Sequence, residues 1–329
     1  MTRPRLAFVG VGWIGRARME AVVAAGAADA AVVMDTDQEI AEKAAAEVGC
    51  DVVVTSFDGA IVHDVDGVVL ATPSALHAEQ ALAALECGLP VFCQKPLGRT
   101  AAECASVIEA AKRRDLLLGV DLSYRGVRAF EAAVGAARSG ELGRVYALDL
   151  IFHNSYGPDK AWFRDPELGG GGCLMDLGTH LVDFALRVVG QEPVRVNGAL
   201  FAGGEVLEDP AQRVEDYASV QLEMPDGALV RIACSWFLPC GRDAVIEAHV
   251  HGADGSVAVR NVGGSFYDFT TDRYEGRTTA QLVAPPDDWG GRVLVQWAHA
   301  LGDGSGYDRG IESVVAVAKV IDAAYGRAA

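Results

Sequence analysis

The 329-residue chain is short of positive charge, of aromatic residues and of paired cysteines. Lys and Arg number 28 against 45 Asp and Glu, a formal net charge of −17. A surface that acidic repels nucleic acid and anionic membranes and argues against both as partners. No apolar run approaches the roughly 20 residues needed to span a bilayer. The opening residues, MTRPRLAFVG, pass straight into a strand-like run, with no long apolar segment and no small-residue cleavage site, so no export signal is expected. Seven cysteines stand at 50, 87, 93, 104, 173, 234 and 240, none in a C-x-x-C pair. An odd, scattered set argues against a disulfide framework and for reduced thiols in the cytoplasm. Internal repeats are absent, and the one low-complexity stretch is the glycine run 169–172.

About half of the residues are hydrophobic, enough for two domains with cores of their own. The first part alternates strand and helix. LAFVG (6–10), AAVVMD (30–35), VDGVVLATP (65–73), PVFCQ (90–94) and LLLGVD (116–121) read as buried strands. RMEAVVAAGA (18–27), DQEIAEKAAAEVG (37–49), LHAEQALAALECG (76–88) and AAECASVIEAAKRRD (101–115) read as helices between them. Continuous apolar strands separated by helices predict a parallel sheet covered on both faces.

The first strand ends in GVGWIG, which sets Gly10, Gly12 and Gly15 in G-x-G-x-x-G spacing at the start of a helix. Such glycines permit a tight turn and let backbone amides approach a pyrophosphate at the helix N-terminus. Trp13 and Ile14 lie inside the same loop, against the expected cofactor. Asp35 follows Gly15 by 20 residues, at the end of the second strand, where a carboxylate can accept hydrogen bonds from a ribose. Asp35 and Asp37 would repel a 2′-phosphate, and no Arg follows Asp35, so NAD is favoured over NADP. The expectation is a doubly wound Rossmann domain over residues 1–123.

After about residue 123 the alternation stops. GRVYALDLIFHNSY (143–156), AVIEAHVHG (244–252) and SVAVRNVGG (256–264) read as strands, and 217–237 as two strands around a Pro-Asp-Gly turn. Helices are expected at 128–142, 173–190 and 310–326. The second domain, 124–329, is therefore expected to be α+β, on an open and mostly antiparallel sheet.

Three stretches, GVGWIG, ATPSALHAEQALAALECGLPVFCQKPL and WFRDPELGGGGCLMDLGTHLVDF, come in an order and spacing that resemble the Gfo/Idh/MocA family of NAD(P)-dependent oxidoreductases. The resemblance covers nearly the whole chain. It implies two domains and an NAD-dependent dehydrogenase or ketoreductase acting on a secondary alcohol of a sugar, an inositol or a related polyol. It implies that Lys95, Asp176 and His180 form the catalytic group and that Thr72, Pro73, His77 and Gln94 line the cofactor. It further implies a homodimer or homotetramer through the second sheet. One departure stands out, because the family's Glu-Lys-Pro motif is Gln94-Lys95-Pro96 here.

The residue types suit that chemistry. Alcohol oxidation sends a hydride to the cofactor and a proton to a base, which the protein supplies. Asp176 and His180 stand at i and i+4, which places them on one helix face. Histidine titrates near neutrality and suits a general acid/base, and Lys95 at a strand end suits stabilisation of an alkoxide. Lys95, Asp176 and His180 would also hold the substrate. Trp162 and Arg164, before the glycine run, suit a sugar's C–H face and its hydroxyls, with Tyr124, Arg125 and His153 as further candidates. The glycine run reads either as a flexible lead-in to the helix or as backbone that approaches substrate. The pair in HVH (249–251) lacks further ligands around it, and no metal site is expected. Two other functions use the same residues, an enzyme that recycles a tightly held NAD through a keto intermediate and a non-catalytic NAD- or sugar-binding regulator.

Overall fold

A computed structural model describes residues 3–327. The chain divides into two compact units, Met1–Ser123 with Gly290–Val315, and Tyr124–Trp289 with Ala316–Ala329.

In the first unit, β1 (Arg5–Val9), β2 (Asp29–Met34), β3 (Val53–Val54), β4 (Gly67–Leu70), β5 (Val91–Gln94) and β6 (Leu118–Asp121) form one sheet in the order β3-β2-β1-β4-β5-β6. Every pair in it is parallel. The apolar runs Leu6–Val9, Val68–Leu70 and Val91–Cys93 are buried throughout, as strands covered on both faces must be. Helices α1 (Trp13–Ala24), α2 (Gln38–Val48), α3 (Phe57–Ile61), α4 (Ser74–Glu86) and α5 (Ala101–Arg114) connect them. Asp37, Ser56 and Thr100 cap α2, α3 and α5 by accepting from backbone N–H groups of the first turn. The first helix starts at Trp13, ahead of the expected 18, because the glycine turn feeds directly into it with Gly12 as its N-cap.

The second unit holds β7 (Val145–Asn154), β8 (Arg195–Ala202), β9 (Glu205–Val206), β10 (Tyr217–Glu223), β11 (Leu229–Ser235), β12 (Ala244–Gly252), β13 (Ser256–Asn261), β14 (Phe269–Glu275) and β15 (Thr278–Val283). Their order is β15-β14-β13-β12-β7-β11-β10-β8-β9. Only β7 and β11 pair in parallel within this otherwise antiparallel sheet. The Pro-Asp-Gly turn joins β10 to β11, with Gly227 at φ 84°. Residues of period two, such as Leu148, Leu150 and Phe152, form the core face with Phe130 of α6 (Arg128–Arg138) and Leu181 and Phe184 of α8 (Thr179–Val189), downstream of the short α7 (Pro166–Gly169). The other face carries charge. Arg231 pairs with Asp149 at 2.5 Å, His251 with Asp149 at 3.4 Å and His249 with Glu247 at 3.2 Å. Both histidines of HVH are thus engaged by carboxylates.

Helix α9 (Arg292–Gly302) belongs to the first unit, whereas α10 (Ser313–Ala324) carries the chain back into the second. A single cut at 123/124 misses this return. Its physical basis is a groove in the first sheet. Gly67 on β4 and Gly119 on β6 flank Phe92 on β5, and the Trp297 indole lies across them, 5.7 Å from the Phe92 ring. A Cβ at Gly119 would come within 2.6 Å of the indole. Trp297 is buried, and truncating such a side chain costs about 3–5 kcal/mol. Trp297→Ala is therefore expected to lower the unfolding free energy of the first unit by that amount, measured by urea unfolding. A loss below about 1 kcal/mol would show that α9 is peripheral to this core.

Candidate active site

In the first unit the candidate residues gather at the C-terminal ends of β1, β4, β5 and β6, around the place where the strand order reverses. The glycine turn is closely packed on two sides and open on the third. A Cβ on Gly10 would meet the Ala71 carbonyl oxygen at 2.7 Å, and one on Gly15 the Gly10 carbonyl oxygen at 2.0 Å. A Cβ on Gly12 would meet nothing within 4 Å. Helix α1 has neither a side-chain cap nor an acidic residue in its first turn. Its N–H groups and the positive end of its dipole thus suit an anion. Asp35 latches this loop, with Oδ2 accepting from Val11 N at 3.0 Å and Oδ1 from Asp37 N at 3.1 Å. A carboxylate has about four acceptor positions, so this latch leaves capacity for a ribose hydroxyl. Trp13 is 75% exposed at the start of α1.

His77 ties two strand ends together. Its ring nitrogens lie 2.6 Å from the Pro96 carbonyl oxygen and 2.7 Å from that of Thr72. Burial pushes its pKa down while the two carbonyls pull it up, and burial prevails. The side chain expected to line the cofactor thus grips the backbone of both Thr72–Pro73 and Lys95–Pro96. Thr72 Oγ1 donates to Gln80 at 2.6 Å.

The departure at Gln94 has a physical account. Gln94 Nε2 donates to Asp121 Oδ2 at 2.9 Å, and its Oε1 accepts from Lys95 N at 3.0 Å. Asp121 is buried and also receives Arg18 Nε at 2.6 Å and Ser123 Oγ at 3.0 Å. A glutamate at 94 would bring a second carboxylate against Asp121, whereas the amide can donate to it. Arg18 and Asp121 were not legible as site residues, because nothing in their local sequence marks them.

In the second unit the candidates gather around the lead-in to α8. Its first turn, Leu174–Gly178, is a π-helix carrying Asp176, and His180 follows one turn later on α8. The expected single α-helix over 173–190 is thus wider at its start. The glycines before it are buried and tightly packed. A Cβ on Gly171 would fall 2.1 Å from Tyr325 Oη and one on Gly172 2.0 Å from the Glu215 carbonyl oxygen. The amides of this segment serve Glu215, which accepts from Gly172 N at 3.1 Å, Leu174 N at 2.8 Å and Tyr325 Oη at 2.8 Å. Burial raises the Glu215 carboxyl, against the pull of these hydrogen bonds.

Asp176 Oδ2 accepts from Trp236 Nε1 at 3.1 Å. The His180 ring stacks on Tyr124 at 4.9 Å, and Tyr124 in turn stacks on Phe130 and Phe152. Burial, with Asp176 nearby, lifts the Tyr124 phenol well above its ordinary range. One helical turn beyond His180, Asp183 receives Arg125 Nη2 at 2.5 Å and Arg125 Nε at 3.1 Å. Asn154 ends β7 on the same face as Phe152, and its buried Oδ1 has no hydrogen-bond partner among the described residues.

The structure does not bring His153 to this cluster. Strand alternation puts it on the reverse face of the sheet, where Nδ1 lies 2.8 Å from Ser235 Oγ and the ring stacks on Tyr217. Trp162 reaches the cluster only through others. It stacks on Phe163 at 3.8 Å, and Phe163 meets Trp236 edge-on at 6.3 Å. Arg164 donates to the Pro158 carbonyl and sits over the Phe237 ring. Sequence reasoning missed Trp236, Glu215 and Asn154. The only available signal was an indole at the end of a predicted strand in CSWF.

Known proteins match the chain in both units. Residues 4–122 match a family described as an oxidoreductase family with an NAD-binding Rossmann fold, and residues 130–258 match the GFO/IDH/MocA C-terminal domain. A putative UDP-kanosamine synthase oxidoreductase subunit from Amycolatopsis mediterranei is 32% identical over 78% of this chain and 75% of its own length. Levoglucosan dehydrogenase from Pseudarthrobacter phenanthrenivorans is 28% identical over 69% of this chain, and the match spans 63% of that relative, under two thirds of its length. The crystal structure of GenD2 from gentamicin A biosynthesis, in complex with NAD, superposes with a TM-score of 0.83 at 28% identity, over 99% of this chain and 94% of that one.

The buried carboxylate at 215 sets a pH test. Its folded pKa lies above the ordinary value of about 4.5, so folded chains hold this proton where unfolded chains have lost it. Its contribution to stability is complete below about 4.5 and is lost as pH rises through the folded value. Glu215→Gln does not titrate. The stability of wild type relative to Glu215→Gln, from urea unfolding at a series of pH values, is expected to fall as pH rises through this window. A difference that grows with pH would show that the hydrogen bonds outweigh burial.

Proposed function

The chain belongs to the Gfo/Idh/MocA family of oxidoreductases, and on that premise we propose that it moves a hydride between NAD and a secondary alcohol or ketone of a sugar, an inositol or a related cyclic polyol. The observation that carries this reading is the glycine turn, packed beneath Gly10 and Gly15, open at Gly12 and latched by Asp35. Gly10, Gly12, Trp13, Ile14 and Gly15, with Thr72, Pro73 and Gln94, would hold the dinucleotide. Asp35 and Asp37 favour a free 2′-hydroxyl over a phosphate, which supports NAD over NADP. When bound, the nicotinamide gives or takes the hydride.

The proton is the protein's task. His180 is assigned as general acid/base, since an imidazole exchanges protons near neutral pH. Stacking on Tyr124 holds its ring in one plane. Asp176, its rotamer set by the Trp236 indole, would hold a substrate hydroxyl or orient the imidazole. Lys95, at the end of β5, would donate to the reacting oxygen and stabilise the charge that develops there.

No described helix is long and apolar enough to cross a membrane, and none of the seven cysteines forms a disulfide. Both facts support a cytoplasmic enzyme. The charged outer face of the nine-stranded sheet is assigned to contact between copies, in a dimer or tetramer.

Reduced-nicotinamide absorbance tests the assignment, with NAD and NADP across inositols, aldoses, amino sugars and sugar acids. Turnover with NAD on one class is expected. Lys95→Ala and His180→Ala are each expected to lower kcat by roughly 10²–10⁴-fold, with NAD affinity in His180→Ala unchanged by calorimetry. Normal dinucleotide binding without turnover of any compound would overturn it. Removing one hydrogen bond to a charged group costs about 1.5–3 kcal/mol. Trp236→Phe should therefore reduce kcat/KM by at least about tenfold, with folding intact by circular dichroism. An unchanged value would show that Asp176 does not depend on the indole.

A further inference from the structure

We propose that the second unit carries an outer subsite for a second sugar ring, built on Phe237, Tyr156 and Arg164, and that the preferred substrate is an uncharged glycoside or oligosaccharide rather than a free monosaccharide. The proposal rests on the reading of Asp176 and His180 as the substrate's acid–base pair.

Phe237 is the central observation. Among the described residues only Asp115 and Phe237 are non-glycine residues with positive φ. Asp115 ends α5 as a left-handed C-cap, a position its side chain tolerates. Phe237 has φ 61° in no such role, and it is half exposed. A bulky aromatic held in a strained conformation and left half exposed recovers only part of that strain from packing. A contact with a bound molecule would account for both features. The ring also has a fitted bed. A Cβ at Gly157 would come within 2.1 Å of Phe237 Cζ, so only glycine fits beneath it. The Arg164 guanidinium lies 5.7 Å from the ring centroid. Tyr156, next to Gly157, is also half exposed, and its ring lies 6.1 Å from that of Phe266.

The platform is continuous with the reacting groups. Trp236, the residue before Phe237, turns inward to donate to Asp176, while Phe237 turns outward. A second path of rings runs from His180 through Tyr124 and Trp289 to Tyr267, which is half exposed. His180 is thus linked by ring contacts to Tyr267, and Asp176 to Phe237 through the hydrogen bond of the neighbouring Trp236. Aromatic faces suit the C–H surface of a pyranose, and a guanidinium suits its hydroxyls. Charge narrows the class further. Asp159, Asp165 and Asp243 offset Lys160, Arg164 and Arg242 in these loops, so the rim has no cationic excess of the kind a diphosphate needs. The second ring is therefore attached through an uncharged glycosidic link.

The experiment measures kcat/KM for maltose, cellobiose, lactose and trehalose against their free hexoses, in wild type, Phe237→Gly and Tyr156→Ala. Glycine suits φ 61°, so Phe237→Gly relieves the backbone and should keep or raise Tm. Wild type is expected to favour at least one disaccharide by tenfold or more. Phe237→Gly should lose that advantage by about an order of magnitude, with hexose kcat/KM within twofold. No disaccharide preference in wild type, or an equal fall on both substrate classes, overturns the proposal. So does a change in sedimentation state without a change in selectivity, which would make the rim a contact between copies. His180→Ala separates the two readings. If it still turns over hexose and disaccharide, the assignment of the acid–base pair has failed, whatever the subsite does.

Discussion

A buried carboxylate organises the second unit. Glu215 lies in the loop before β10, far in sequence from Asp176, yet its two oxygens collect the amides of Gly172 and Leu174 and the hydroxyl of Tyr325. Its backbone carbonyl accepts from Cys173 as well. The start of a helix exposes donors that nothing within the helix can satisfy. Here one side chain satisfies two of them while tying the lead-in to the C-terminal segment. The glycine run then has a steric cause. Tyr325 and the Glu215 backbone press so closely on positions 171 and 172 that a Cβ fits at neither. Asp176 sits in the π-turn that begins where this anchoring ends, so its placement follows from a residue that need not touch a substrate.

The first unit solves its own placement problem with the same kind of part. Asp35 holds the glycine turn through Val11 N, His77 bridges two carbonyls at the ends of β4 and β5, and Asp121 collects Arg18, Ser123 and Gln94. Each of these polar groups ties together segments at the strands' C-terminal ends. The glutamine before Lys95 is part of this pattern. It is the residue that can donate to Asp121 and accept from Lys95 N at once, so the departure from the family motif matches its local partners.

Periodicity made the elements legible. The βα alternation, the glycine turn, Asp35 and the Asp176–His180 pair all rest on neighbours within a few residues or on one strand–helix unit. Where partners lie far apart in sequence, the signal vanished. Glu215 and Asp121 look like ordinary surface acids, and Trp236 like a core aromatic, until the fold brings them to Leu174, Gln94 and Asp176. His153 was misplaced because a candidate residue on a strand needs its parity, and residue 153 has the opposite parity to Phe152 and Asn154. The strands at or next to the sheet's edges, β8, β14 and β15, escaped because exposure blurs the alternation of apolar residues, most clearly along Thr278–Val283.

The return of α9 to the first unit bears on the order of synthesis. A ribosome delivers β1 to β6 early, but the Trp297 indole that fills the Gly67–Phe92–Gly119 groove emerges only after all nine strands of the second sheet. Until then the nascent first unit exposes an apolar furrow on its sheet, the kind of surface that chaperones hold and that drives aggregation. The first unit therefore completes its core only after the strands of the second sheet have been synthesised.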